Sequence, residues 1–426
     1  MPKLFAFRGY RFDPEVVGPL DQVVTQPYDK ISDSLRQEYL HRNPFNVAHL
    51  IANKNYRAAA KSLNDWISKG ALLRDDKPCL YVYRQSYTWE NQPLTRIGII
   101  GLVSIQKSED SIKGHEKTML EPLQDRLHLL RATETNDGLI FALYQEPKHF
   151  TDMLLEEIIE ANPADVDVRD DFGFGHSLWK ISDLRVQKSL NKVLGPLNFY
   201  IADGHHRFET AIQFMKECKE KGWRPKEVES FDKRMIALFN MESSGLRILP
   251  THRAVRNLAQ FDIKKLLVGL QKKFDVKSFP SLDSLRANLQ SNPRTIGMLV
   301  GKSLRCWSIQ PRKGSVAPPL KDLPKHSAGL DVNLLHLGIL EPLLGIGAQE
   351  LATQSNIDYF RDYKKLAQGI QNQTYQLGFL LSPTTLEQVR QCSDEKLMMP
   401  QKSTDFFPKL LTGLVFSKMG IMKTFV

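Results

Sequence analysis

The chain has 426 residues, 42% of them apolar and 25% charged, and a formal net charge of +10. It is too long for one ordinary core and has the composition of a globular protein of two or three domains. It carries no low-complexity tract and no run of about 18 apolar residues, which argues against a disordered or membrane-spanning chain. The start, MPKLFAFRGYRFDPEVV, lacks an apolar core followed by a small-residue cleavage site, so the expectation is a cytoplasmic protein without a membrane partner. Cys79, Cys218, Cys306 and Cys392 are scattered without a CxxC pair, as expected of reduced thiols rather than a zinc cluster or disulfide framework. The positive charge favours anionic partners. Its spread along the chain, with no basic tail and no RNA-type aromatic motif, argues against nucleic acid. Nothing in the sequence sets an oligomeric state.

In chain order, VVTQPYDKIS predicts a short strand turning through Pro27, and DSLRQEYLHRNP a helix capped by Asp33 and stopped before Pro44. YRAAAKSLNDWISKG has helical spacing and ends on Gly70. CLYVYRQSYTW and RIGIIGLVSIQ predict a hairpin with a turn containing Asn91 and Pro93. GLIFALYQ predicts a strand and FTDMLLEEIIEAN a helix. HSLWKISDLRVQKSLNKVLGPLNFYIADGHHRFETAIQFMKECKEKG reads as strand, helix, strand, turn, helix, the helices running from about Asp183 to Leu194 and from about His206 to Lys221. KRMIALFNM and LRILPTHRAV add two strands. After about residue 258 a smaller α/β alternation begins, and from about Asp331 a helical region leads to the closing MMPQKSTDFFPKLLTGLVFSKM. The expected fold class is therefore α/β with mixed sheets. Its parts are an N-terminal region over 1–258, a smaller α/β domain over 259–330, and a helical region with a C-terminal loop packing back on the body over 331–426.

The chemistry concentrates in FYIADGHHRFETAIQF, residues 199–214. Gly204 permits a tight turn and close approach of the backbone to a ligand. The first N–H groups of the following helix lack intrahelical acceptors and lie at the positive end of its dipole, which favours an anion. Arg207 in that first turn opposes the dipole unless an anion intervenes, and His205 and His206 add donors that titrate near neutrality. Gly204, His205, His206 and Arg207 are thus the expected phosphate-holding residues. Asp203 has three open roles: orienting a histidine, holding magnesium, or accepting a proton. The plain alternative is an N-capping Asp203 followed by exposed histidines. A His–His metal pair lacks a third ligand at fixed spacing.

WKISDLRVQKSLNKVLGPLNFYIADGHHRFETA resembles the unit of the ParB/sulfiredoxin-like superfamily, in which strand, helix and strand lead to a Gly-containing His-Arg or Arg-Arg turn opening a helix. That superfamily includes nucleotide-binding partition proteins, sulfiredoxin and free-serine kinases, and the resemblance implies such a core at about 176–221. Over residues 26–415 the chain resembles a widespread prokaryotic domain-of-unknown-function family. The stretches carrying it are QPYDKIS, RNPFNVAHLI, GHEKTMLEPLQDRLHLLRAT, IADGHHRFETA, LPTHR and MPQKSTDFFPKLLTGLV. That family carries Ser-Pro before the strand matching IFALY. This chain has Gly138-Leu139, a change expected to lie outside the chemistry.

Four other stretches carry candidate residues. GHEKTMLEPLQDRLHLLRAT offers His115, Glu116, Lys117, Thr118, Glu121, Asp125 and Arg126, with Glu116 the expected base and His115 its partner. His115 and Glu116 are adjacent, so this is no HExxH zinc motif, and Asp125 and Arg126 are either substrate-binding or a solvated helix face. QPYDKIS puts Tyr28 and Asp29 in a Pro-fixed turn, as candidates for substrate binding or as turn residues. LPTHRAV ends a strand with His252 and Arg253, either a second anion contact or a surface pair. MPQKSTDFFPKLLTGL offers Lys402, Ser403, Thr404 and Lys409 for phosphate or ribose contact, or else a terminal arm anchored by Phe406 and Phe407. The further expectation is that Lys402 or Lys409 lies near the His205–Arg207 turn or the His115–Glu116 segment.

P-loop, GxSxG, Rossmann and protein-kinase signatures are all missing. The residues at hand suit phosphoryl transfer, which needs positioning and charge stabilisation. The expected activity is a nucleotide-dependent phosphotransferase, using ATP or ADP with Mg2+ and acting on a small hydroxyl metabolite. Free serine is the acceptor implied by the resemblance. The alternatives are a nucleotide-binding regulatory switch with slow or no hydrolysis and, less favoured, a nuclease or nucleic-acid binder.

Overall fold

A computed structural model describes residues 3–106, 111–116, 120–312 and 318–423. The fold is α/β with mixed sheets and divides into two compact units. The first comprises residues 1–114, 118–247 and 408–426, and the second residues 115–117 and 248–407. The break after Arg247 falls ahead of the expected boundary at 258. Residues 259–330 and 331–407 share one unit because strands Ile357–Phe360 and Leu377–Leu380, inside the stretch expected to be helical, complete the sheet begun by the earlier strands.

The first unit is built on a nine-stranded sheet. Its order is Ile112–Lys113, Phe199–Asp203, Ile140–Tyr144, Lys233–Asn240, Gln92–Ser104, Leu80–Trp89, Gly175–Ile181, Val166–Arg169, with Leu4–Phe5 paired to Gln92–Ser104. Two pairings are parallel, Phe199–Asp203 with Ile112–Lys113 and Lys233–Asn240 with Ile140–Tyr144; the others are antiparallel. The hairpin expected around Asn91 forms with Tyr81 opposite Ile100, and Glu90 and Asn91 both take positive φ at its tip, as a two-residue hairpin turn requires. Every residue of Ile140–Tyr144 is buried, which identifies it as a central strand.

Helices Phe150–Ala161, Leu184–Leu194 and His205–Glu220 bury Leu155, Leu190, Leu194, Phe208, Ala211 and Phe214 in the same core as Leu80, Val103, Ile140 and Ile236. Helix Leu184–Leu194 starts where the sequence indicates, with the Asp183 side chain accepting the Arg185 N–H. Helix Asp33–Arg42 is capped instead by Ser32, whose hydroxyl accepts the Leu35 N–H. A satellite cluster joins Phe12, Val23, Val47, Leu63 and Trp66 to Phe416 from the far end of the chain.

The second unit holds a six-stranded antiparallel sheet in the order Phe274–Phe279, Arg305–Pro311, Ile296–Val300, Leu377–Leu380, His252–Val255, Ile357–Phe360. Helices Ile263–Gln271 and Asp331–Leu335 contribute Leu266, Leu270, Val332 and Leu335 to one cluster, while Leu282–Ser291 and Tyr363–Gln371 contribute Leu285, Leu289, Leu366 and Ile370 to another. Among the described residues no helix is long and apolar enough to cross a membrane, and all four cysteines are buried and unpaired.

Candidate functional site

In the first unit, strand Phe199–Asp203 shifts register between Ile201 and Asp203 against Ile140–Tyr144, an irregularity that re-aims the last side chain. Gly204 follows at φ +94, and helix His205–Glu220 begins at the next residue. A side chain at 204 would be strained by that φ, and its Cβ would lie 3.2 Å from Arg207 Nε, because the guanidinium folds back over the turn. Asp203 does not cap the helix through an N2 or N3 amide. Its Oδ1 accepts the Gly204 N–H at 2.8 Å, and its Oδ2 lies 3.2 Å from Lys409 Nζ. Burial alone would push this carboxyl up, but Lys409, Arg207 and Lys30 outweigh it and hold it well below the usual carboxylate range. Asp203 is therefore a fixed anion among cations and a poor proton acceptor near neutrality.

The C-terminal segment reaches this place because buried polar groups tie it down. The Arg96 guanidinium lies between the Phe141 and Phe239 rings, 4.6 and 4.9 Å from their centroids, and donates to Gln85 Oε1 and to the Pro408 carbonyl. Gln85 Nε2 donates to the Lys409 carbonyl at 2.9 Å, and the Leu411 N–H donates to Tyr83 Oη at 3.2 Å. Thr412 exchanges two backbone hydrogen bonds with Thr25, just ahead of the Tyr28 turn. Ser417–Lys418 pairs with Thr135–Asn136, just ahead of Asp137 and Gly138. One strap thus fixes Lys409 and braces two loops of the site.

Arg126 belongs to the interior, contrary to a solvated helix face: it is 8% exposed. Its guanidinium stacks on the Tyr28 ring at 4.1 Å, donates to Asp125 through Nε and to the Ile51 carbonyl through Nη1. Asp125 also accepts from Tyr56 Oη at 2.7 Å, so its carboxylate holds Arg126 in place. Burial pushes the Tyr28 phenol up to about 12, with Arg207 and Arg126 opposing. Asp29 is exposed and pairs with Lys30 at 3.5 Å. His205 is buried and His206 half-buried. Gly138, expected to lie outside the chemistry, adjoins the candidate turn. A Cβ there would lie 3.0 Å from Arg207 Nη1, so the glycine makes room for the guanidinium.

His115, Glu116, His252, Arg253 and Lys402 to Thr404 lie in the second unit, where most of them are tied to neighbouring protein groups. His115 is fully buried, its Nε2 3.0 Å from Thr404 Oγ1, and its carbonyl accepts the Met399 N–H. Glu116 forms a parallel bridge with Met399. Ser403 donates its hydroxyl to the Pro400 carbonyl and accepts from Thr384 Oγ1 at its own carbonyl. Lys402 is exposed at φ +58. His252 and Arg253 are neither a surface pair nor an open anion contact, because both are buried. His252 Nδ1 accepts the Leu381 N–H, and Arg253 donates to the carbonyls of Thr251 and Lys402. Lys117 and Thr118 lie outside the described residues, as does the side chain of Glu121.

The donor set at Asp203 suits an ammonium counter-ion better than a resident magnesium. Both carboxylate oxygens are engaged, further cations surround them, and no group of three His, Cys, Asp or Glu side chains among the described residues converges on a metal position. Arg234 and Asp137, which line a narrow pocket together with Arg126 and Arg207, do not stand out in the sequence. The visible signal for the first was a lone arginine inside KRMIALFNM, a strand otherwise apolar enough to be buried.

No curated protein matches the sequence. Among solved structures the chain is similar to free serine kinase in complex with AMP, with 11% identity, 74% of this chain and 92% of that chain covered, and a TM-score of 0.38. It is similar to a conserved hypothetical protein from Pyrococcus furiosus, with 11% identity, coverage of 74% and 95%, and a TM-score of 0.36. It is also similar to SbnI with a C-terminal truncation from Staphylococcus aureus, with 12% identity, coverage of 74% and 85%, and a TM-score of 0.35. Residues 4–332 match the family described as protein of unknown function, DUF1015, and the chain belongs to that family.

Proposed function

We propose that this protein binds a nucleotide, ATP or ADP, at the Asp203–Arg207 turn and transfers a phosphoryl group from it to the hydroxyl of a small metabolite. The observation that carries the reading is Arg207. It lies 8% exposed in the first turn of a 16-residue helix, with its Nε buried and without a hydrogen-bond partner among the described residues, while Lys409 and Asp203 meet beside it. A buried guanidinium at the positive end of a helix dipole is unfavourable alone and favourable with an anion. The N–H groups of that first turn supply further donors to phosphate oxygens. The Lys409 ammonium, held by the strap, would be shared between the polyphosphate and Asp203. Phosphoryl transfer asks mainly for such fixed charge. Free serine is the acceptor suggested by the sequence resemblance, and Glu116 is the base suggested by its chemistry.

A second reading, a nucleotide-binding switch without turnover, is favoured by one feature. Asp203, held ionised by its cations, does not serve as a base near neutrality. The test is incubation of the full chain with ATP or ADP and a hydroxyl-metabolite library, with products identified by mass. A phosphorylated product formed by the wild type and lost in Glu116→Gln supports the enzyme. Nucleotide binding with no product in any arm supports the switch. Undiminished ADP affinity in Arg207→Ala removes the site from both readings.

A further inference from the structure

Behind the turn, still within the first unit, Arg126, Arg207 and Arg234 line one narrow pocket with Asp137, Thr135 and Thr210. Arg126 is saturated by Asp125 and the Ile51 carbonyl. The other two guanidiniums differ. Arg207 is 8% exposed and Arg234 3% exposed, and the Nε of each is buried with no hydrogen-bond partner among the described residues. Burial pushes Arg234 down to about 10, with Asp137 opposing and Arg207 adding to the fall. Two mutually repelling buried cations that each keep an unused donor are stabilised by an anion between them, because an unsatisfied buried donor is costly and more so when charged.

The free interior of the pocket is about 10 Å³, room for one water or one oxygen atom, and the space including its mouth is about 250 Å³. A neutral apolar group has no partner there. We propose that this pocket is an oxyanion subsite. One oxygen of a carboxylate or phosphate group enters between Arg207 and Arg234, and the rest of the group stays at the mouth. The inference rests on the proposed function only in sharing Arg207. It gives the small-molecule substrate a chemical class, a compact metabolite bearing an anionic group, bound apart from the helix N-terminal amides.

The test uses the full chain and calorimetric titration with inorganic phosphate, acetate and ADP, each on wild type, Arg234→Gln and Arg234→Lys. Phosphate, acetate or both should bind the wild type, and Arg234→Gln should weaken that binding about tenfold or more. Arg234→Lys, which keeps the charge but loses the planar fork, should fall between and serves as the folded variant if Arg234→Gln does not fold. Binding of phosphate alone identifies a phosphoryl group as the natural occupant, and of acetate alone a carboxylate. Binding that is indifferent to residue 234 places the anion at the helix start and overturns the inference, as does no binding of either anion, which leaves the pocket to water. ADP separates the two levels. If ADP fails to bind the wild type while phosphate binding responds to residue 234, the nucleotide reading falls and the oxyanion subsite stands.

Discussion

Two stretches of this chain look equally suited to phosphate in sequence, IADGHHR and QKSTD, yet their polar groups behave in opposite ways. In the second unit, Ser403, Thr404 and Asp405 are engaged locally: Ser403 with Pro400 and Thr384, Thr404 with His115, and Asp405 with Arg361. The Lys402 carbonyl receives Arg253. In the first unit, Asp203 draws Lys409 and Arg207 toward one point, and Arg207 Nε is buried without a hydrogen-bond partner among the described residues. Residue type nominates a site. An orphaned donor alone does not separate the two, since Arg253 Nε in the second unit is also buried without a hydrogen-bond partner among the described residues. The first place adds a helix start and Lys409 gathered with Arg207 about Asp203.

The largest effect that would sharpen this contrast is expected at Arg96, which braces the strap carrying Lys409. Arg96→Ala removes a large side chain from between Phe141 and Phe239 and strips donors from Gln85 and Pro408. It should lower stability by about 3–5 kcal/mol in urea unfolding, as for truncation of a large core side chain. A variant as stable as the wild type would show that the strap does not depend on this brace.

Next is the acid sensitivity of the second unit. Burial, with Arg253 and Arg286 in the same sense and Asp362 opposing, pushes His252 from 6.5 down to about 4. The unfolded chain then takes up a proton that the folded chain does not. Stability present above 6.5 is lost as pH falls from 6.5 to about 4, by roughly 3 kcal/mol at most. His336, pushed down to about 3 by burial and Arg253, acts in the same direction. His252→Asn, which keeps an acceptor for the Leu381 N–H, should flatten the melting temperature against pH over that window. An unchanged profile would show that His252 titrates normally.

Arg207→Ala should weaken ADP binding by about 1.5–3 kcal/mol, the range for a hydrogen bond to a charged group, measured by calorimetry on a folded variant. The smallest effect separates the two stretches most directly. Ser403→Ala loses one hydrogen bond to Pro400, should cost about 0.5–1.5 kcal/mol of stability, and should leave ADP affinity where it was. Weakened ADP binding in Ser403→Ala would erase the distinction between the two regions.

Local signals accounted for much of this molecule. The Asn91 hairpin, the Asp183 cap, the buried IFALY strand and the strand–Gly–helix turn at 199–207 all follow from spacing, capping and apolar periodicity, which act between residues near in sequence. The short strands Ile357–Phe360 and Leu377–Leu380 did not emerge, because four-residue runs between helices take strand form only when a sheet receives them, the first at its edge and the second between two other strands. Likewise the sequence shows that Arg126, Arg207, Arg234, Asp137 and Lys409 exist but not that they converge. Arg207 and Lys409 lie some two hundred positions apart, and nothing local distinguishes an arginine paired with Asp125 from one whose Nε is left alone. Those outcomes depend on which groups long-range packing brings within hydrogen-bond reach. Sequence by itself therefore set the turn and its charges; tertiary structure decided which charges remain available to a ligand.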